Sequence, residues 1–183
     1  MKYIIVHLHS SNENLIRYYL KELNIKICNI FRTSDTNKYT NSSIVYNMDD
    51  VNQMFENNSY IILDRLTNKD YYEGISKYDY ENSDVLLLTP KQFNNIDINK
   101  DDCIIWLDDT LEIRYKNYLS NSDEYNFFEE ENIEKYSIKE CIDKIYKYDY
   151  IYFSNELPER ISTIIYSLIK HPELIDLYKL NFK

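Results

Sequence analysis

Glycine occurs once in this 183-residue chain, proline three times and alanine not at all. Glycine is the residue that turns the backbone left-handed or lets it pass close to a ligand without steric cost. A chain with a single glycine has no room for the glycine-rich loops that wrap phosphates or dinucleotides. Basic residues are also short: 21 Lys and Arg stand against 31 Asp and Glu, a formal net charge of -10. That balance excludes a broad positive footprint for nucleic acid or an anionic membrane. No apolar run approaches the length of a membrane span, and the opening MKYIIVHL turns polar too soon for a signal peptide. Cys28, Cys103 and Cys141 are odd in number, widely spaced and without a CxxC pair. This points away from zinc and disulfides and toward reduced, buried thiols in a cytoplasmic protein.

What the chain has in quantity is apolar and aromatic material. Hydrophobic residues make up 44% and aromatics 15%, with 20 tyrosines, a globular composition of a length that fits one domain over 1–183. The surplus of Asn, Ile, Lys and Tyr is what an AT-rich coding sequence produces. A low-GC bacterium, its phage, a large virus or an AT-rich eukaryote would all write such a chain.

Short β-rich runs alternate with longer amphipathic ones. Residues 3–8, 25–31, 60–66, 85–88, 103–107 and 150–153 read as strands. Residues 12–23, 49–56, 110–119 and 157–170 read as helices, and the charged run 123–147 holds one or two more. The stretch RTSDTNKYTNSS, 32–43, is polar and turn-rich, a long surface loop or small lobe. Uniformly apolar strands each followed by a helix predict an α/β fold: a parallel sheet buried on both faces. Ligands in such sheets bind beyond the carboxyl ends of the strands, which puts residues 6–14 at the mouth of a site.

Several residues there have two readings each. His7 and His9 would point to one side of an extended strand and could take a metal with a third donor, or be ordinary loop histidines. Asp108 and Asp109, ending the WLDD run, would bind magnesium or cap the next helix, the cap being favoured. Arg114 is either a phosphate clamp or an exposed partner of Glu112. Tyr71 and Tyr72 would stack on a base or pack in the core. The acidic FFEEENIEK run, 127–135, reads as a partner-binding surface or a solvated helix face, the second being favoured.

A family resemblance rests on collinear segments. MDDVNQMFENNSYI (48–61), NKDYYEGISK (68–77, with Glu73 an apparent insertion), DVLLLTPKQ (84–92), CIIWLDDTLEIRYKNYL (103–119) and YKYDYIYFSNELPERISTII (146–165) follow one another with family-like spacing. Together they resemble guanylate kinase, of the P-loop nucleotide-kinase group. The resemblance implies a three-layer α/β sandwich with an inserted nucleotide-monophosphate lobe at about 32–80 and a lid region at about 109–147. Gly74 falls in the lobe's tyrosine-tyrosine-glycine motif, and its retention in so glycine-poor a chain predicts a backbone need: φ > 0, or close approach of a chain or ligand.

The same resemblance implies monophosphate or phosphate binding by Arg32, Lys38, Tyr72, Ser76 and Arg114. It also exposes a departure. The phosphate loop G-x-x-x-x-G-K-[ST] supplies backbone amides, a lysine and a magnesium-binding hydroxyl; here His7, His9, Ser10, Ser11, Asn12 and Glu13 stand in its place. The acidic residues that the family carries after its central strand are replaced at 88–90. The implied protein is catalytically inactive, without catalytic residues, metal or cofactor, and binds a small nucleotide, a phosphorylated peptide or a protein. The alternative is a divergent nucleotide kinase moving phosphate from ATP with magnesium to an acceptor such as GMP.

Overall fold

The structure is a computed structural model that describes residues 1–33, 44–46, 48–65, 72–110, 113–117 and 127–179. At its centre four parallel strands lie in the order β6-β1-β7-β8: β1 (Tyr3–Val6), β6 (Val85–Leu88), β7 (Cys103–Leu107) and β8 (Tyr150–Ser154). The register is continuous, with Tyr3 opposite both Val85 and Cys103. Alternate residues of these strands enter two separate cores. Tyr3, Ile5, Val85, Leu87 and Ile105 face helices α1 (Glu13–Glu22) and α6 (Pro158–Lys170). Ile4, Val6, Leu86, Leu88 and Ile104 face α4 (Pro90–Asn94) and α5 (Phe127–Ile145). The expected α/β architecture, a parallel sheet between two helical layers, is therefore the one observed. The three cysteines are free and buried, and burial pushes the thiols up, Cys28 to about 11, Cys103 and Cys141 to about 12.

A second, mixed sheet in the order β3-β2-β5-β4 is built from strands between Phe31 and Ser76. It comprises β2 (Phe31–Thr33), β3 (Ile44–Tyr46), β4 (Tyr60–Arg65) and β5 (Tyr72–Ser76), with α2 (Met48–Glu56) before β4 and α3 (Lys77–Asn82) after β5. The sequence pattern carries no separate signal for β3, β5, α3, α4 or the short helix Ile175–Lys179. It does predict a strand at 25–31, where the structure has only a single bridge, Ile27 to Val85, before β2 begins at Phe31. The reason is the turn that delivers the chain: Ile25 is still donating to Leu20 O (3.0 Å), closing α1, and only the next few residues run beside β6. The charged run forms one helix, α5, rather than two.

The chain makes glycine's turns with asparagine. Asn24 has φ 56, with its N–H on Lys21 O (2.9 Å) and the Ile25 N–H on Leu20 O, the paired bonds of a helix-ending left-handed cap. Asn58, φ 50, follows α2 in the same way, with Ser59 N–H on Met54 O at 3.0 Å. Asparagine tolerates this region better than other side chains. Each proline opens a helical turn: Pro90 for α4, Pro158 for α6 and Pro172 for a 3-10 turn (Pro172–Leu174) before α7 (Ile175–Lys179). There its fixed φ suits the helix and its missing N–H costs nothing.

Gly74 does not have positive φ. Its need is proximity: a Cβ there would lie 2.6 Å from Phe31 Cζ and 2.8 Å from Ile61 O. The apparent insertion at Glu73 is likewise resolved, since Glu73 pairs with Arg32 and Asp64 and the register shift falls on β4, between Ile62 and Asp64. Replacing Gly74 by alanine forces backbone and ring apart and is expected to cost about 1–3 kcal/mol. Urea unfolding of Gly74→Ala checks this; unchanged stability would mean that the second sheet yields freely at this point.

Candidate functional site: the turn after the first strand

The main-chain N–H of His7 donates to Leu88 O (3.0 Å), so pairing runs one residue past β1 before the chain turns away. The turn is tight: Ser11 N–H donates to Leu8 O at 3.3 Å, and Ser10 takes φ 56 without glycine's freedom. A left-handed non-glycine residue costs roughly 1–2 kcal/mol, so neighbouring bonds must hold it. They come from the loop after β7. The Asn12 main-chain N–H donates to Asp109 Oδ2 (2.9 Å) and its side-chain amide lies 3.4 Å from Asp109 Oδ1. From the helical segment 113–117, the Asn117 amide donates to Ser10 O and to Asn12 Oδ1, both at 3.1 Å. Residue 12 directly precedes α1, where main-chain amides lack helical acceptors. Asp109 is the acceptor that this chain provides.

This corrects the expectation for the aspartate pair. The cap of 113–117 is Thr110, whose Oγ1 accepts from Ile113 N–H (3.3 Å) and whose carbonyl accepts from Arg114 N–H (3.1 Å). Asp109 is turned to Asn12 instead, and Asp108 is exposed with its N–H on Ser154 O (2.7 Å). Arg114 is 5% exposed, so the solvent-exposed reading fails. Three residues before Asn117, it shares that residue's side of the helical turn. Glu112 lies outside the described residues.

His7 and Glu13 are both buried at 6% exposure, with His7 Nδ1 4.0 Å from Glu13 Oε2 and 3.2 Å from Leu8 O. Burial drives the His7 ring down to about 4, helped by the positive charge of Arg17 and opposed by the Leu8 carbonyl and Asp109. At neutral pH the ring carries no charge. Arg17, one turn along α1 from Glu13, is itself lowered by burial, with Glu13 opposing. Because β1 has ended, strand alternation does not apply to His7 and His9, which is only partly buried. Among the described residues no group of three or more His, Cys, Asp or Glu side chains is gathered to hold a metal.

The residues nominated on the acceptor side lie in the second sheet. Arg32 is on β2, opposite Glu73 and next to Tyr72 of β5. Tyr72 is 8% exposed and packs in a cluster with Phe31 and Tyr60. Ser76 ends β5, four residues and roughly 13 Å beyond Tyr72, and its hydroxyl caps α3 by accepting from Asp79 N–H (3.0 Å). Lys38 lies outside the described residues. The structure thus brings His7, Ser10, Asn12 and Glu13 together with Asp109 and Asn117. It pairs Arg32 on β2 with Glu73 rather than with Tyr72, and puts Tyr72 and Ser76 at opposite ends of β5. Asn117 and Arg17 were not foreseen; for Arg17 the four-residue spacing from Glu13 was a readable signal.

No protein-family profile matches this chain, and no curated protein matches it. Among solved structures, the crystal structure of guanylate kinase from Anaplasma phagocytophilum superposes with a TM-score of 0.53 at 14% identity, over 94% of this chain and 86% of that one. At that identity the likeness is one of fold, and the fold is guanylate-kinase-like.

The buried ring of His7 gives the site a pH signature. Unfolded, the ring protonates near 6.5; folded, near 4. Between those values the unfolded state binds the extra proton, so stability present above pH 6.5 falls as pH drops toward 4. The loss attributable to His7 is at most about 3 kcal/mol, from 1.36 kcal/mol per pH unit. Urea titrations of wild type and His7→Gln at pH 7 and pH 4 should differ by that margin; parallel losses in both would place the ring in solvent.

Proposed function

We propose that this protein is a guanylate-kinase-fold binding module that does not transfer phosphate from ATP. The observation that carries this reading is the bond from the Asn12 main-chain N–H to Asp109. In a phosphate-binding turn such amides face the ligand; here one is taken by an internal carboxylate. Two further features support it. Residues 7–13 contain neither glycine nor lysine, and a buried carboxylate, Glu13, opens α1 at the helix end that favours negative charge from a ligand. A triphosphate arriving there meets two carboxylates and no loop lysine. Losing one charged partner in a desolvated site costs about 2–5 kcal/mol, and phosphoryl transfer depends almost wholly on such charge placement.

The ligand in this reading is a nucleoside monophosphate, or a protein presenting a phosphate group, held by cationic side chains among Arg32, Lys38 and Arg114; Tyr72, packed with Phe31 and Tyr60, and Ser76, which caps α3, shape the second sheet instead. ATP, magnesium and other cofactors play no part. The net charge of -10 disfavours nucleic acid and membrane as partners, and the protein works in the cytoplasm. No helix among the described residues is long and apolar enough to cross a membrane.

Thermal unfolding with added nucleotides tests the reading. Magnesium-ATP should leave the transition unmoved, whereas GMP at 100 times its dissociation constant should stabilise by about 2.7 kcal/mol. A coupled assay for ADP release with GMP, dGMP and dTMP gives the opposing outcome: turnover at about 1 s⁻¹ or faster would establish a working kinase and end this proposal.

A further inference from the structure

Helix α4 joins the two sheets by three side-chain contacts within five residues. Lys91 Nζ lies 2.9 Å from Asp64 Oδ1 on β4. Gln92 Nε2 donates to Glu73 Oε2 on β5 at 2.8 Å, and both residues are buried. Asn95, the residue that ends α4, donates from its side-chain amide to Leu63 O on β4 at 2.9 Å.

The helix making these contacts is itself fastened to the central layer. Thr89 and Gln92 form a reciprocal cap, Thr89 N–H to Gln92 Oε1 (2.9 Å) and Gln92 N–H to Thr89 Oγ1 (3.3 Å), directly after β6. The one Gln92 amide thus serves both attachments, its oxygen closing the cap and its nitrogen reaching the second sheet. At the other end the Lys144 ammonium of α5 donates to the carbonyls of Phe93 (2.7 Å), Asn94 (3.3 Å) and Ile96. Its charge also stands 4.8 Å from the centre of the Phe93 ring. Beneath these bonds the two sheets share one core: Leu63 of β4 and Ile75 of β5, both fully buried, pack in the same cluster as Val6, Leu88 and Phe93.

Two-lobed binding proteins often close around a ligand by moving one lobe about a few loop residues. Such a motion here would tear a buried carboxylate from its amide partner and open an apolar core. We propose that α4 is a latch that fixes the second sheet against the central one, so that this protein meets its ligand with its two sheets already in place. The inference goes beyond the binding reading and stands whether or not ATP is turned over.

Spin labels at Tyr78→Cys on α3 and Leu177→Cys on α7, both well exposed, report the distance between the two halves by pulsed electron resonance. The native cysteines are buried with raised thiol pKa values and do not compete for the label. The latch predicts one narrow distance population in the otherwise native chain, unchanged by GMP, and a second population once Gln92→Leu removes the buried link. A variant carrying Lys91→Met and Asn95→Ala leaves the Glu73 contact in place and keeps the test open if Gln92→Leu does not fold; it too should gain a second population. A broad or GMP-shifted distribution in the chain with native α4, or latch variants as narrow as that chain, would overturn the proposal.

Discussion

The central strands β1, β6 and β7 have no exposed side: their residues are 0–6% exposed, with odd and even positions going to opposite cores. This two-sided burial sets the rest. Each core needs its own helical layer, which α1 with α6 and α4 with α5 supply. Parallel strands cannot be joined by tight hairpins, so every connection must travel the length of the sheet. The polar turns are pushed to the strand ends, and the candidate site is one of these, where His7 passes the last ladder bond and the chain must reverse. With each buried Leu or Ile worth roughly 1.5–3 kcal/mol, the sheet can carry the left-handed Ser10 and the buried Glu13 at its edge.

The parts of the fold that sequence made legible are those with a single periodicity. Residues 3–6, 85–88 and 103–107 are uniformly apolar and surfaced as strands within a residue or two, and the spacing of Ile161, Ile165 and Leu168 marked α6. The second sheet was harder to read because its strands are short and mixed. β5, YEGIS, carries a glutamate and a glycine in a five-residue strand, and what makes it a strand is pairing with β2 and β4 rather than its own pattern. Residues 25–31 failed in the other direction. Ile25 and Cys28 are buried by turns and irregular packing, and only Phe31, the first residue of β2, joins a ladder.

At the site, the position of the turn and its unusual composition could be read directly, whereas its wiring could not. That Asp109 would bond Asn12 depends on β1 and β7 being neighbours, a tertiary fact. Local reasoning gave the aspartate pair the commoner role of helix cap, and Thr110, one residue later, took it. The burial of Arg114 and the partnership of Asn117 with Ser10 likewise follow from where 113–117 lands, which no spacing within those residues announces. Gly74 shows the reverse case. Its importance was legible from scarcity alone, and only the structure tells a crowding requirement from a dihedral one.

The place of β1 between β6 and β7 also has a consequence for biogenesis. The strand β1 is paired on both sides by segments that are synthesised much later and begin at Val85 and Cys103. At roughly 5–20 residues per second, on the order of 10 s pass before either partner is synthesised. For that interval Tyr3–Val6, among the most water-averse pieces of the chain, has no native strand partner, and α1 can cover only the face that carries Tyr3 and Ile5. A nascent chain arranged this way is a natural client for a chaperone that shields extended apolar segments until the centre of the sheet can assemble around them.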